Sequence, residues 1–425
     1  MFDWARANGS RRPSVRVAMV NDETLRDGLQ SPSVTDPPDE TKVEILHLMD
    51  HLGIETANVG LPGSGPRQQA SVDRLCRAIA EGRLRIAANC AARTVVADII
   101  PIVEATQRTG VPIETCLFIG SSPIRQYAEE WDLAYVLRRT EESIAFAVSH
   151  GLRVMYVTED TVRTHPHVLE SLFAAAIDAG ASRLCLCDTA GSAEPYGVRN
   201  LVTWTRKFLQ DRGLDGETGI DWPGHRDRGL DLANSLAALE SGATRVHGTA
   251  LGIGERVGNT PIELLLVNLR LLGWRDDDLS RLPEYVGTVS RATGVPVGPS
   301  APVVGRDAFR TATGVHAAAV IKARRRGADW LADRVYSGVP AAWLGRAQEI
   351  EVGHMSGASN VQHYLASRGL PTAPTVVQAV LALAKRSARL LTDEEILGAV
   401  HSSSIEAGDD GGSMRDRTSG GDVLG

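Results

Sequence analysis

The fold of this chain is decided by residues 153–191, which read RVMYVTEDTVRTHPHVLESLFAAAIDAGASRLCLCDTAG. A short apolar run at 153–158 precedes a polar turn and a segment at 167–180 whose apolar residues recur three and four positions apart. That spacing is typical of one face of a helix. A second apolar run at 183–188 completes a strand, helix, strand unit. Such units place their strands parallel in one sheet, so the stretch predicts a parallel α/β fold.

The same alternation continues along the chain between residues 16 and 275. Candidate strands are 16–21, 55–60, 85–90, 113–119, 153–158, 183–188, 218–222 and 244–248. Helical segments separate them, for example 39–53, 132–151 and 229–242, often with glycine at the end. Eight strands alternating with helices favour a (β/α)₈ TIM barrel, although periodicity alone does not exclude an open, doubly wound sheet.

The pattern changes after residue 285 to helices and loops. We therefore expect four regions along the chain. They are an N-terminal extension at 1–15, a TIM-barrel catalytic domain at 16–285, a smaller, mostly helical C-terminal region at 286–401 and a tail at 402–425. The tail is polar and rich in glycine and serine, which predicts disorder.

Composition limits the classes of partner. The formal charge of −7 gives no basic excess of the kind that binds nucleic acid or an anionic membrane surface. No apolar run approaches the roughly 20 residues of a spanning helix, and the N-terminus lacks the apolar core of a signal peptide. We expect a cytoplasmic protein with small-molecule partners. The five cysteines form no CxxC pair, which predicts free, mostly buried thiols: Cys76, Cys90, Cys116, Cys185 and Cys187.

Polar residues follow five of the candidate strands, at the rim where a parallel barrel carries its active site. They are Arg26, Asp27 and Gln30 after the first strand, Glu159, Asp160 and Arg163 after the fifth, Asp188 and Thr189 after the sixth, His225 after the seventh, and Glu255 and Asn259 after the eighth. One charged loop residue is usually only solvated. Five loops that supply carboxylate, guanidinium, imidazole and amide groups to one rim indicate an active site.

Four motifs carry a family resemblance. They are NDETLRDGLQ at 21–30, DTAG at 188–191, GHRDRGLDLANSLAALESGA at 224–243 and GTALGIGERVGN at 248–259. In this order they resemble the metal-dependent TIM-barrel acyltransferases typified by 2-isopropylmalate synthase and homocitrate synthase, which share a superfamily with hydroxymethylglutaryl-CoA lyase. The resemblance covers residues 16–360. It includes segments at 308–323 and 334–345 that resemble those with which the synthases cover the active site.

This resemblance implies a Claisen-type condensation of acetyl-CoA with a 2-oxo acid, as in 2-isopropylmalate synthase, followed by release of CoA. It also implies a divalent metal (Mg²⁺, Mn²⁺, Co²⁺ or Zn²⁺) that is chelated by the 2-oxo acid and polarises its ketone. Asp27 and His225 would be metal ligands, with Asn259 as a further candidate. Since the family's second unit reaches into a neighbour's active site, the resemblance implies a homodimer as well.

The remaining roles also follow from the resemblance. Arg26 would steady the oxyanion or the substrate carboxylate. The 2-oxo acid pocket would be lined by Gln30, Glu159 and Thr189, with Arg163 as a further charge. Proton transfer next to the thioester would fall to Glu255 and His316, with Tyr336. Plainer explanations stay open: Asp27 as a turn cap, Arg163 as a rim salt bridge, His316 as a helix-start histidine and Tyr336 as packing. We interpret the neighbouring His165 and His167 as surface residues.

One position departs from the family's pattern. The loop after the seventh strand normally carries His-x-His, and both imidazoles bind the metal. Here residues 219–230 read GIDWPGHRDRGL, and Pro223 stands at the first of the two positions. Proline has no side-chain donor atom and no backbone N–H. The site therefore either works with fewer protein ligands, binds metal poorly, or recruits another side chain such as Asn259 or His247.

Four other functions compare less well, or no better, with the residues of this sequence. A homocitrate synthase-like use of 2-oxoglutarate stays open, because the pocket residues that choose the oxo acid are not identified by one sequence. A lyase is disfavoured because no cysteine follows Cys187. A biotin-dependent carboxyltransferase needs a strand-end lysine, and none lies between Lys42 and Lys207. A catalytically silent homologue that binds CoA or an oxo acid has Pro223 as its only positive sign.

Overall fold

The computed structural model describes residue 15 and residues 17–409, without the side chains of 404–409. The chain divides into two compact units between Val297 and Gly298. In the first unit, eight parallel strands close into a barrel in chain order, and the last strand pairs with the first. The strands are β1 (Met19–Asp22), β2 (Thr56–Asn58), β3 (Ala87–Arg93), β4 (Glu114–Gly120), β5 (Val154–Glu159), β6 (Arg183–Leu186), β7 (Gly219–Trp222) and β8 (Arg245–Gly248). The TIM-barrel prediction is confirmed.

Helices alternate with these strands. They are α1 (Asp39–His51), α2 (Pro66–Gly82), α3 (Val96–Thr109), α4 (Pro123–Glu129), α5 (Leu133–Ser149), α6 (Pro166–Asp178), α7 (Pro195–Asp211), α8 (Asp231–Ser241), α9 (Ile262–Leu271) and α10 (Leu282–Thr293). The predicted elements are present, but their ends shift: β1 begins at Met19 rather than at residue 16, and β3 extends to Arg93 rather than to 90.

The unit formed by β5, α6 and β6 shows why the sequence folds in this way. Proline at position 166 occupies the first helical turn, where its missing N–H costs nothing. The side chains that recur three and four apart on α6 are buried: Leu169, Leu172, Phe173 and Ala176. Gly180, with φ of 107°, then turns the chain into β6 in a conformation that other residues rarely adopt. One apolar helix face is thereby packed on the barrel.

An ionic cluster fills the barrel near the N-terminal ends of its strands. Arg245 donates from Nε to Asp221 Oδ2 (2.5 Å) and from Nη2 to Glu114 Oε2 (2.7 Å). Arg183 Nε donates to Asp221 Oδ1 at 2.5 Å. We call these four residues the floor cluster. Buried charges are tolerated when they are paired. Burial raises the pKa of Asp221, but the charges of Arg245 and Arg183 outweigh burial and hold the pKa far below its usual value.

The second unit contains a two-stranded parallel sheet and further helices. The strands are β9 (Arg310–Thr311) and β10 (Glu349–Ile350), and the helices are α11 (Gly314–Arg325), α12 (Asp329–Ala332), α13 (Ala358–Ser367), α14 (Pro374–Arg386) and α15 (Asp393–Asp409). One apolar cluster is built on α11 and α12, and a second one joins α13 to α15. The region is mostly helical, as predicted.

Two expected boundaries need correction. The boundary at residue 285 falls inside α10, a helix that packs on α1 and belongs to the barrel unit. The tail expected to be disordered from residue 402 begins as helix, since α15 continues to Asp409. The rest of the expected tail, and residues 1–14 of the expected N-terminal extension, lie outside the described residues.

The cysteine expectation is confirmed, because all five thiols are free and buried. Cys185 and Cys187 lie two residues apart, and their sulfur atoms approach to 3.9 Å on one side of the chain. In the described part of the chain, no helix combines the length and the apolar character that crossing a membrane requires.

Glu263, in the first turn of α9, is a buried carboxyl group with an unusual environment. Its Oε2 accepts a hydrogen bond from the N–H of Leu251 at 3.1 Å, and it is 5% exposed. Burial raises the pKa of Glu263 to about 7, and the hydrogen bonds from its own and the Leu251 N–H offset only part of the effect. The carboxyl group is therefore more basic in the folded chain than in the unfolded one.

We expect Glu263→Gln to stabilise the protein at alkaline pH. A folded pKa above the unfolded one contributes stability that is present below about pH 4. That contribution is lost as pH rises through about 7. Glutamine keeps the acceptor for Leu251 and has no charge to bury, so the gain should reach about 2–3 kcal/mol at pH 8 and vanish near pH 4.5. Thermal unfolding of both proteins at the two pH values checks this, and an equal difference at both would contradict it.

Candidate active site

A cavity of about 320 Å³ lies where the barrel strands end and the following loops begin. The loops after β1, β5, β6, β7 and β8 all contribute to its wall. Of the residues predicted for the site, those that line this cavity are Arg26, Asp27, Gln30, Glu159, Thr189, His225, Glu255 and Asn259. The barrel therefore brings together side chains from five loops that are distant in the sequence.

Arg26 presents a fixed positive charge to the cavity. Its Nε and Nη2 donate to Glu23 Oε2 at 3.1 and 2.5 Å. Its Nη1 lies 3.7 Å from Asp27 Oδ2 and 3.5 Å from Gln30 Oε1. Burial lowers the pKa of Arg26, but the charges of Glu23 and Asp27 outweigh burial and raise it, so the guanidinium keeps its charge.

The donor atoms expected for a metal ion lie on adjacent loops. Asp27 Oδ1 is buried and has no hydrogen-bond partner. A Cβ on Gly254 would lie 3.2 Å from this oxygen and 2.3 Å from Asn259 Nδ2, so a glycine lets these two side chains approach. His225 and Asn259 pair in an isolated antiparallel bridge. His225 Nδ1 lies 3.1 Å from the Gly258 carbonyl, and as the donor it leaves Nε2 free as a ligand.

These donors fit a divalent cation of the hard or intermediate kind. An unpartnered carboxylate oxygen, an imidazole nitrogen and a neighbouring amide are the ligand types that Mg²⁺, Mn²⁺, Co²⁺ and Zn²⁺ accept. Among the side chains that the structure describes, however, no three from His, Cys, Asp or Glu are grouped to hold a metal ion. A cation held by these donors would need further ligand atoms from substrate or water.

Pro223 lines the cavity at the position of the missing histidine. Its carbonyl accepts a hydrogen bond from the Asp188 N–H at 3.1 Å, which joins the loops after β6 and β7. His247 does not replace the missing ligand in this arrangement. Its Nδ1 lies 3.1 Å from Glu23 Oε1, and its Nε2 lies 2.8 Å from Asp221 Oδ2. Both ring nitrogens are engaged.

The loops after β6, β7 and β8 are tied together by Arg256. Its Nη2 donates to the Thr189 carbonyl at 2.7 Å and to Asp227 Oδ2 at 2.8 Å, and its Nε donates to Asp227 Oδ1 at 2.9 Å. We call this set of contacts the Arg256 staple. The Thr189 hydroxyl accepts from the Asp160 N–H at 2.8 Å, which leaves its proton for a ligand in the cavity. The Arg256 staple thereby holds the backbone of Thr189 at the rim of the barrel.

Glu159 lies at the end of β5 on the cavity wall. Its Oε2 is 3.6 Å from Arg125 Nη2, and Arg125 Nη1 also pairs with Glu129 at 3.0 Å. Burial raises the pKa of Glu159, and the charges of Arg125 and Arg26 offset part of the rise. The pKa of Glu159 is therefore higher than that of a solvated glutamate.

Three predicted site residues lie elsewhere. Arg163 does not line the cavity: its Nε donates to Asp160 Oδ1 at 2.6 Å and its side chain is 42% exposed, so its interpretation as a rim salt bridge is the better one. His316 and Tyr336 belong to the second unit, where their rings stack at 3.9 Å and both are exposed. Their part in catalysis stays a prediction. His165 and His167 are exposed, as interpreted from the sequence.

Two features of the cavity were not predicted from the sequence. Glu23 lines it beside Arg26, although the motif around it had drawn attention only to later positions. The other feature is an apolar wall formed by Leu61, Ala91, Cys116, Phe118, Met155, Val157, Cys185 and Cys187. Alternate residues of β4, β5 and β6 form most of this wall, so the period of two along these strands was the available signal.

Comparisons with known proteins agree with this architecture. The HMGL-like family matches residues 17–289. Homocitrate synthase AksA of Methanopyrus kandleri is 32% identical over 89% of this chain and 90% of its own length. A probable 2-isopropylmalate synthase of the same organism is 35% identical over 71% of this chain and 58% of its length. The structure of the Bacillus subtilis HMG-CoA lyase, 19% identical, covers 68% of this chain and 97% of its own with a TM-score of 0.55, a likeness of fold.

A closed eight-stranded barrel with polar side chains at the carboxyl ends of its strands is the architecture of TIM-barrel enzymes. The chain belongs to the HMGL-like family. The predicted relationship to 2-isopropylmalate and homocitrate synthases is confirmed, and with it the prediction of an acyltransferase-type enzyme.

Proposed function

We propose that this protein condenses acetyl-CoA with a 2-oxo acid in a Claisen-type reaction that releases CoA, as a 2-isopropylmalate synthase does. The observation that carries the proposal is the buried, unpartnered Asp27 Oδ1 beside the Arg26 guanidinium in one cavity. A carboxylate oxygen without a partner costs free energy unless a cation or a donor meets it. The relatives named as synthases support the same chemistry.

Asp27 and His225 would hold the divalent cation, with Asn259 beside them. The bound cation supplies electrophilic polarisation of the ketone. Arg26 neutralises the negative charge that develops on the ketone oxygen, and the Thr189 hydroxyl donates to the carboxylate of the oxo acid. Both groups are already oriented by Glu23 and by the Asp160 N–H, so little reorganisation is needed during the reaction.

Removing a proton from the methyl group of acetyl-CoA needs a positioned base. Glu255 is exposed at the rim and lines the cavity, so it is our candidate within the barrel unit. His316 and Tyr336 stay candidates from the second unit. Glu23 is unsuited as the base. Burial raises its pKa, but Arg26 and His247 outweigh burial and lower the pKa to about 2.

The lining of the cavity favours an oxo acid with an apolar side chain. Among the described lining residues, the guanidinium and imidazole groups are Arg26, His225 and His247. His225 is the proposed metal ligand, and the nitrogens of His247 already face two carboxylates. The carboxylates are more numerous: Glu23, Asp27, Glu159, Asp188 and Glu255. A second substrate carboxylate would meet the apolar wall or these negative charges. We therefore favour 2-oxoisovalerate. The second candidate, 2-oxoglutarate, is favoured by the relatives named homocitrate synthases.

The proposal is tested by release of free CoA thiol from acetyl-CoA with 2-oxoisovalerate, pyruvate and 2-oxoglutarate, each with Mg²⁺, Mn²⁺, Co²⁺ or Zn²⁺. We expect kcat/KM for 2-oxoisovalerate to exceed that for 2-oxoglutarate at least about 100-fold, because an unpaired buried carboxylate costs several kcal/mol. A preference for 2-oxoglutarate would overturn the choice of oxo acid. If none of these oxo acids leads to release of CoA, a catalytically silent homologue would be the better proposal.

The homodimer stays a prediction. Its measurement is the molar mass in solution by light scattering. A monomer would count against the roles proposed for His316 and Tyr336, because these roles come from a family whose second unit serves a neighbouring copy.

A further inference from the structure

Glu23 uses both carboxylate oxygens in fixed contacts. Oε1 accepts from Asn21 Nδ2 at 2.7 Å and lies 3.1 Å from His247 Nδ1. Oε2 accepts from Nε and Nη2 of Arg26. The residue is 5% exposed. A carboxylate with these partners has a single orientation, and it determines where the guanidinium of Arg26 points.

His247 connects Glu23 to the floor of the barrel. Its Nε2 lies 2.8 Å from Asp221 Oδ2, and the ring is 4% exposed. Burial lowers the pKa of His247, but the hydrogen bonds to Asp221 and Glu23 outweigh it and raise the pKa. Asp221 is held in turn by Arg183 and Arg245. A continuous series of buried polar contacts therefore runs from the floor cluster through His247 and Glu23 to Arg26.

We propose that Glu23 and His247 are positioning residues that hold the Arg26 guanidinium in its reactive orientation. The inference rests on the proposed condensation. Arginine loses considerable side-chain entropy when it is held, and preorganised charge acts only if it is held before the reaction. Without Glu23, the guanidinium would turn toward Asp27, whose Oδ2 lies 3.7 Å from Arg26 Nη1. The same turn would occupy the carboxylate proposed for the metal.

Other roles for this pair fit the contacts less well. Proton transfer by Glu23 would need a free lone pair, and both oxygens face donors. Metal binding by His247 would need a free nitrogen, and both face carboxylates. If the series only stabilised the fold, replacing any of its carboxylates should affect kcat equally. Glu114 offers the comparison, since it pairs with Arg245 at 2.7 Å and does not line the cavity.

The first experiment compares Glu23→Gln with the matched control Glu114→Gln, using CoA release with the best oxo acid. Glutamine at position 23 turns its amide N–H₂ group toward either Arg26 or the donors of Asn21 and His247. Because two donors then face each other, Arg26 is no longer held in place. We expect kcat to fall roughly 10- to 100-fold in Glu23→Gln. KM for acetyl-CoA should stay within about 2-fold. Glu114→Gln should keep kcat. Equal losses in both variants would overturn the proposal.

The second experiment separates the two nitrogens of His247. Asparagine at 247 places its amide near the Nδ1 position, facing Glu23, whereas glutamine places it near Nε2, facing Asp221. We expect His247→Asn to retain kcat within about 10-fold and His247→Gln to lose as much as Glu23→Gln. The reverse order of activity would mean that the contact with Glu23 is not the one that matters.

A readout without turnover keeps the inference separate from the proposed function. Arginine-selective ¹⁵N labelling follows the Nε–H of Arg26, assigned with Arg26→Lys. We expect its exchange with solvent to accelerate at least about 10-fold in Glu23→Gln and not in Glu114→Gln. Unchanged exchange would refute the positioning role even if the wild type is active. Faster exchange in a protein that releases no CoA would keep the positioning and refute the condensation.

Discussion

Arg26→Lys is expected to lower kcat/KM for the condensation about 100- to 1,000-fold without loss of the fold. Arg26 offers a planar fork whose Nε and Nη2 bind Glu23 and whose remaining edge faces the cavity. Lysine keeps one positive charge but has a single nitrogen, so it either pairs with Glu23 or reaches the substrate. Most of the loss should appear in kcat, because the charge that Arg26 meets develops during the reaction.

The matched control is Arg93→Lys. Arg93 ends β3 near the same rim and makes a similar two-pronged contact with Asp98, at 2.7 and 2.9 Å, but its side chain is 67% exposed and it does not line the cavity. We expect its kcat/KM within about 2-fold of the wild type. A loss in Arg93→Lys as large as in Arg26→Lys would show that rim arginines act through general electrostatics or folding.

Pro223→His is expected to tighten the binding of a divalent cation at least about 10- to 100-fold, because it adds an imidazole to an incomplete ligand set. The loop should accept the change: the Pro223 carbonyl contact to the Asp188 N–H involves backbone atoms that histidine also has. Titration with Mn²⁺ or Zn²⁺ measures both affinity and stoichiometry. CoA release by both proteins then shows whether the wild-type site is active with fewer ligands.

Two controls separate ligation from shape. Pro223→Ala removes the ring without adding a donor atom and should bind metal as the wild type does. Asp27→Asn combined with Pro223→His should lose the gain, since the carboxylate with the unpartnered Oδ1 would be gone. Equal affinity and stoichiometry in the wild type and Pro223→His would mean that the position does not face the cation.

The barrel and the polar rim were predictable because both depend on local signals. Alternating apolar runs predict strands, and in a parallel barrel all strand ends meet at one rim, so Asp27, Thr189 and His225 had to lie near one another. The family resemblance added Asn259 as a further candidate for the metal, and the structure pairs Asn259 with His225 in a backbone bridge. Nothing in this inference required knowledge of side-chain conformations.

The remaining features have separate causes, and one of them is long-range pairing, which one sequence does not reveal. Arg163 carries the same charge as Arg26 and follows a strand in the same way, yet Asp160, three residues earlier, binds it outside the cavity. Glu23 and His247 are separated by more than 200 positions, and their contact exists only because β1 and β8 close the barrel. The helical start of residues 402–409 was missed because its composition resembles that of a linker.

The Arg256 staple limits how this enzyme can change over time. TIM barrels usually diversify because each rim loop varies without disturbing the others. Here the guanidinium of Arg256, on the loop after β8, binds Thr189 on the loop after β6 and Asp227 on the loop after β7. The segments that carry Thr189, His225 and Asn259 are therefore one connected block. Changes of specificity should therefore be easiest in the loops outside that block. Replacing the loop after β6, β7 or β8 by the loop of a relative should require the replacement of the other two loops as well.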